Sequence, residues 1–171
     1  MPSALLYMFE GCEEIETYGT ADILRRAGVK VTLFATTKTV TGNQGMIMTA
    51  DSTTVVDADA IIIPGGMGFA NLEADMKVKA LVESYVQKGK LVCAMCAAPQ
   101  VLTKWGVWKG LKVCGYPGCE APGNTFVDDR VVVGDKHVCA KGPGVALEFG
   151  VAIATKLGAD GEAVRKGTLM Q

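Results

Sequence analysis

The apolar positions of this chain fall into short unbroken runs, separated by longer stretches in which apolar residues recur at helical spacing. Ala4 to Phe9 is the first run, uncharged until Glu10. Apolar residues without alternation over this length predict a strand buried on both faces. A helix is expected from about Glu14 to Ala27, stopped at Gly28, with Val29 to Ala35 as the next strand. The same order returns twice. A helix over Val78 to Gln87 ends at Lys88-Gly89-Lys90 and opens the strand Leu91 to Met95, and another runs from near Pro143 to Leu157-Gly158. Helix, glycine able to take a left-handed backbone, then strand predicts βαβ units around a parallel sheet. Ala60 to Ile63 is a further core strand, cut off at Pro64-Gly65-Gly66. Val40 to Val56, rich in Thr and Gly, predicts a small hairpin, and Gly115 to Asn124 predicts a loop. Val131–Val133 and His137–Ala140 predict a second hairpin around Gly134-Asp135. With no repeat or linker, the expectation is a single α/β domain over residues 1–171, a doubly wound parallel sheet sandwiched by helices.

Composition narrows the function classes. A chain of 171 residues, 49% hydrophobic and 20% charged, fits one folded domain and excludes a disordered chain. Lys plus Arg is 17 against 18 for Asp plus Glu. There is thus no basic surplus to release counterions from a nucleic acid, and no specific nucleic-acid partner is expected. The longest uncharged runs, Ala60 to Leu72 and Leu91 to Thr103, are shorter than the roughly 18 apolar residues of a membrane span. The first residues carry no positive charge ahead of their apolar stretch and do not read as a secretory signal. A cytoplasmic location is therefore expected, with the six cysteines as reduced thiols.

Ligands of parallel α/β sheets bind beyond the carboxyl ends of the strands. Three such ends carry unusual residues here: Glu10-Gly11-Cys12-Glu13-Glu14-Ile15-Glu16, Pro64-Gly65-Gly66-Met67-Gly68 and Cys96-Ala97-Ala98-Pro99. Cys96 stands where a strand gives way directly to a helix. Free N–H groups and the helix dipole there stabilise a thiolate, so a pKa below the usual 8.5 or so and a nucleophilic role are expected. Glu13 and Glu14 are expected to cap the helix that follows the first strand. Glu16, one turn in, points back toward Cys96 as a desolvated acid able to carry a proton. Gly65 and Gly66 permit close backbone approach, with N–H groups that suit an oxyanion. Cys93 lies inside its strand and reads as core. His137, the one histidine, follows Asp135 and Lys136 and reads as an exposed structural residue. One histidine and no paired C-x-x-C leave neither metal nor cofactor expected.

In this order, the residues resemble the DJ-1/ThiJ/PfpI superfamily, and its DJ-1-like branch in particular. Gly11-Cys12-Glu13-Glu14-Ile15-Glu16 is similar to that branch's G-x-E-E-x-E, Leu24-Arg25-Arg26-Ala27-Gly28 to its R-R-A-G, and Pro64-Gly65-Gly66 to its P-G-G. Ala94-Met95-Cys96-Ala97-Ala98-Pro99 is similar to its nucleophile elbow, and Lys141-Gly142-Pro143-Gly144 to its late R-G-P-G. The resemblance implies a flavodoxin-like sandwich, a homodimer, and a reactive Cys96 that takes a hydrogen bond from a protonated Glu16 and oxidises to sulfinate. It implies oxyanion-hole N–H groups on Gly66 and Ala97, and a site lined also by Gly65, Cys12, Tyr116 and Pro117. The protease-like branch has His after the cysteine, where this chain has Ala97. Members credited with glyoxalase or deglycase activity carry a His at the position of Tyr116, and a phenol is a poor base at neutral pH. Gln44 stands where relatives often have Arg. Two functions follow as expectations: an enzyme acting on small reactive carbonyls through Cys96, or a non-catalytic redox sensor or chaperone-like protein working through Cys96 oxidation.

Overall fold

The computed structural model describes residues 1–171. The first apolar run is strand β1 (Ser3–Tyr7), with Leu5 and Leu6 fully buried. A π-helical turn (Ile15–Gly19) runs into α1 (Thr20–Arg26), and β2 (Lys30–Phe34) returns parallel to β1. An antiparallel hairpin, β3 (Thr39–Thr41) with β4 (Ile47–Thr49), precedes β5 (Ala60–Ile63). Helices α2 (Phe69–Ala74) and α3 (Met76–Gln87) lead to β6 (Leu91–Met95), which runs straight into α4 (Ala98–Lys104). A short parallel pair, β7 (Lys112–Val113) and β8 (Thr125–Phe126), is followed by the hairpin β9 (Val131–Val133) and β10 (His137–Ala140). A 3₁₀ turn (Pro143–Val145), α5 (Ala146–Lys156) and α6 (Gly161–Gly167) complete the chain.

The sheet has the order β2-β1-β5-β6-β10-β9, parallel except for β9. The chain moves outward from β1 to β2, then returns to the other side of β1 and proceeds through β5 and β6. Because right-handed crossovers in opposite directions put their helices on opposite faces, α1 and α3 cover different sides of the sheet. Helices α1, α5 and α6 pack together, while α3 lies against β5 and β6. With both faces covered, the inner strands are predominantly apolar, and β5 (Ala60, Ile61, Ile62, Ile63) and β6 are so throughout. The direction reverses between β1 and β5, which is the point where such sheets open a crevice.

Most boundaries agree with the sequence reading. The joints at Gly28, Gly89 and Gly158 have φ of 77°, 64° and 84°. Helix α3 begins two residues earlier than expected because the Asp75 carboxylate accepts from the N–H groups of Lys77 and Val78. The pair β7–β8 was not expected, since two-residue strands leave no periodic signal. His137 is a correction: it is buried, with Nε2 2.9 Å from the Lys112 carbonyl and its ring edge-on to Trp108. Asp135 and Lys136 stay in the turn while the next residue enters the sheet.

Candidate functional site

The carboxyl ends of the neighbouring strands β1, β5 and β6 deliver the acidic loop, the glycine loop and Cys96 to one edge. Cross-links between loops hold them there. Glu13 N–H donates to the Gly65 carbonyl (2.9 Å), Gly68 N–H to the Gly11 carbonyl (3.0 Å), and Met67 N–H to Asn43 Oδ1 (2.8 Å). A cavity of about 300 Å³ opens between them, lined by Cys96, Ala97, Gly66, Tyr116 and Cys119 among others.

Cys96 has φ of 60°, a left-handed conformation that is uncommon outside glycine. Both its backbone groups are tied: its N–H donates to the Ala140 carbonyl (2.9 Å), and its carbonyl accepts from Tyr116 N–H (2.8 Å). The strain is thus held by β10 on one side and by the loop after β7 on the other. The turn is so tight that a Cβ at Gly65 would lie 2.6 Å from Cys96 Cβ and 2.7 Å from Ala97 N. Gly65 is accordingly a packing necessity beneath the thiol. Gly66, with φ of 126°, lines the cavity itself, and its N–H has no acceptor in the protein.

Glu16 lies on the π-helical turn and is fully buried. A π-turn widens the helix by one residue and is a frequent way of re-aiming a side chain at a functional site. The Glu13 carboxylate caps it, accepting from Glu16 N–H at 2.7 Å. Glu14 is a correction: it does not cap the helix but accepts from the N–H groups of Gln44 and Met46, anchoring the β3–β4 hairpin at the rim. Glu16 Oε2 accepts from Gly65 N–H at 2.6 Å, whereas Oε1 has no well-formed hydrogen bond and the carboxyl interacts with the Cys96 thiol.

Burial pushes the Glu16 carboxyl up to about 7, against the opposing pull of the Gly65 N–H and of Cys96. The expected low pKa of Cys96 is corrected. Burial and the adjacent Glu16 carboxylate push the thiol up, and the Ala97 N–H only partly offsets them. The helix terminus does act on the sulfur, but burial, together with a carboxylate competing for the same proton, outweighs it. The two groups therefore titrate as a pair, the first proton leaving near neutral pH and the second held far above it.

Of the expected lining residues, Gly66, Ala97 and Tyr116 face the cavity with Cys96. Cys12 does not: it is fully buried behind the acidic loop, with the Thr17 hydroxyl 3.7 Å from its sulfur. Pro117 lies instead on a neighbouring depression with Arg130 and Lys141. Residues not singled out as lining include Glu13, Asn43, Met67, Phe69, Cys119 and Pro143. Glu13, Met67 and Pro143 belong to segments already distinctive in the sequence, and Cys119 lies three residues beyond Tyr116, where its N–H donates back to the Tyr116 carbonyl. His137 pairs with Val92, four residues before Cys96, so it lies about 13 Å along the strand from the thiol and is no part of the site.

The fold and site define a single-domain α/β protein with a strained cysteine elbow and a buried acid beside it. The DJ-1/PfpI family description matches residues 2–156, and the chain belongs to that family. It is 35% identical over 170 residues to Protein dj-1beta of Drosophila melanogaster, covering 91% of this chain and 89% of that one. It is also 35% identical over 158 residues to the Caenorhabditis elegans glutathione-independent glyoxalase DJR-1.2, covering 86% of this chain and 84% of the relative. The crystal structure of Drosophila melanogaster DJ-1beta superposes with a TM-score of 0.93 at 33% identity, covering 99% of this chain and 98% of that one. No helix is long and apolar enough to cross a membrane.

Proposed function

We propose that this protein acts on small reactive carbonyls through Cys96. The observation that carries the reading is the unpartnered Glu16 Oε1 beside the Cys96 thiol, which leaves one oxygen of a neutral-range acid free to take and return a proton. In a 2-oxoaldehyde such as methylglyoxal, the Cys96 sulfur would bond to the aldehyde carbon while its proton passes to Glu16. The former carbonyl oxygen would take its negative charge beside the N–H groups of Gly66 and Ala97. Glu16 would return that proton to the oxygen and, ionised again, move the proton of the attacked carbon to its neighbour while the hydroxyl proton passes to the second carbonyl oxygen, converting the adduct to a thioester. Water would cleave the thioester to a hydroxy acid and restore the thiol. One relative of similar length carries glyoxalase in its name.

A second reading, a redox sensor working through Cys96 oxidation, is favoured by Tyr116. This half-exposed phenol takes the rim position where an imidazole base would serve hydrolysis. One experiment separates the two. Purified protein given methylglyoxal should release lactate, and Cys96→Ser should release none above background. No lactate, together with a two-oxygen mass gain after mild peroxide that is absent in Cys96→Ser, would move the assignment to the sensor.

The homodimer is proposed on the same footing. Ile15, Tyr18, Met46, Ile47 and Leu147 are exposed apolar side chains. Ile15 and Leu147 both lie against Gly19, and the Tyr18 hydroxyl accepts from Thr49 N–H, which joins helix and hairpin in one patch. Light scattering should give twice the 17.9 kDa chain mass, and Ile47→Glu should halve it. A single-chain mass for the unaltered protein would remove the dimer. Six unbridged cysteines suit a reducing compartment, in keeping with a cytoplasmic location.

A further inference from the structure

Cys114 and Cys139 stand outside the cavity, both fully buried, with their sulfurs 3.8 Å apart. Their meeting follows from local geometry. Strand β10 turns alternate side chains to one face, so His137 and Cys139 project together. The chain from β7 into the following loop lies across that face: Lys112 O meets His137 Nε2 at 2.9 Å, and two residues on, Cys114 N–H donates to Cys139 Sγ at 3.1 Å. A disulfide is about 2.05 Å long, so the sulfurs must close by roughly 1.8 Å, a movement on the scale of a side-chain rotation.

We propose that Cys114 and Cys139 form a second redox site, a dithiol that a hydroperoxide converts to an intrachain disulfide bracing the backbone of Cys96. The bracing follows from their neighbours. Cys139 immediately precedes Ala140, whose carbonyl accepts from Cys96 N–H; Cys114 lies two residues before Tyr116, whose N–H donates to the Cys96 carbonyl. The bridge would join the two segments that hold the strained elbow. Its formation needs none of the carbonyl chemistry.

The step balances. Cys114 sulfur, deprotonated, attacks one peroxide oxygen; the O–O bond breaks, hydroxide leaves and collects a proton, and Cys114 becomes a sulfenic acid. Cys139 sulfur then attacks Cys114 sulfur. The S–S bond forms, the S–O bond breaks, and the hydroxide departs as water with the proton of Cys139. Both thiols are oxidised, and one peroxide is reduced to two waters. The contact between the sulfurs favours the first ionisation at Cys114, whose pKa the hydrogen bond with Cys139 draws down.

The test uses the Cys96→Ser/Cys119→Ser protein, so that neither cavity thiol can take part. Hydrogen peroxide should lower the thiol titre of the denatured protein by two and the intact mass by two hydrogens. A tryptic digest without reductant should then link residues 113–130 to residues 137–141. Dithiothreitol should reverse all three changes, and Cys114→Ala or Cys139→Ala should abolish them. The bridge closes a loop 25 residues apart in sequence, so the unfolding midpoint should rise by roughly 5 °C or more. A full thiol titre after peroxide, a sulfinate on Cys114, or a link from Cys139 to Cys93 would each overturn the proposal.

Discussion

Tyr116→His should raise the rate of hydroxy-acid formation from methylglyoxal by at least about tenfold, a floor set below the roughly 10²- to 10⁴-fold typical of a positioned general base. Tyr116 lines the cavity with Cys96, and its N–H is bonded to the Cys96 carbonyl, so its place at the rim is set by the backbone and does not depend on the phenol. An imidazole at this position would activate the water that cleaves the thioester. In the unaltered protein, on the proposed mechanism, that work would fall to Glu16, which would also have to hold the proton of Cys96 and cannot be in both states at once. The gain should appear in kcat, with the rate of Cys96 alkylation unchanged, because the attacking sulfur is the same. A correctly folded variant with no gain would mean that hydrolysis does not limit turnover or that carbonyl turnover is not the function, and weight would pass to the sensor.

Glu16→Gln should stabilise the protein at neutral pH by about 3 kcal/mol relative to its effect at pH 4.5. In the folded chain Glu16 keeps its proton up to about 7, whereas the unfolded chain releases it near the ordinary 4.5. Between those values the folded state binds more protons, so stability falls as pH rises, with a slope of about 1.4 kcal/mol per pH unit. The contribution is fully present below pH 4.5 and lost by about pH 7. Glutamine keeps an oxygen for the Gly65 N–H but cannot ionise, so the variant should lack this fall. The unfolding midpoints of the two proteins should therefore diverge by roughly 6 to 12 °C between pH 4.5 and pH 7.5. Parallel midpoint curves across that range would mean that Glu16 is ionised throughout, and the proton-carrying role proposed for it would fail.

If the prediction holds, the site trades stability for chemistry. A buried acid with a free oxygen, a non-glycine residue with φ of 60° and a glycine held under the thiol each oppose folding locally. The surrounding sheet overrides them, since β5 and β6 are apolar and buried throughout, β1 is so from Ala4 onward, and the three are paired side by side.

Much of this was legible in the chain itself. Unbroken apolar runs and the glycines at 28, 89 and 158 determine a parallel sheet, because only strands covered on both faces dispense with alternation and only such joints turn a helix back into a strand. The direct passage from Met95 to Ala98 places Cys96 at a strand end, and chain connectivity brings Glu16 and Gly66 to the same edge. What tertiary structure alone decided depends on distances between segments remote in sequence. It set the division of labour among Glu13, Glu14 and Glu16, the exclusion of Cys12, and the burial of His137 beneath Trp108. It also reversed the expected direction of the Cys96 pKa. A helix terminus is visible in sequence and favours thiolate, but desolvation and a carboxylate at contact range arise only when β1, β5 and β6 close around the thiol, and at that range they outweigh the dipole.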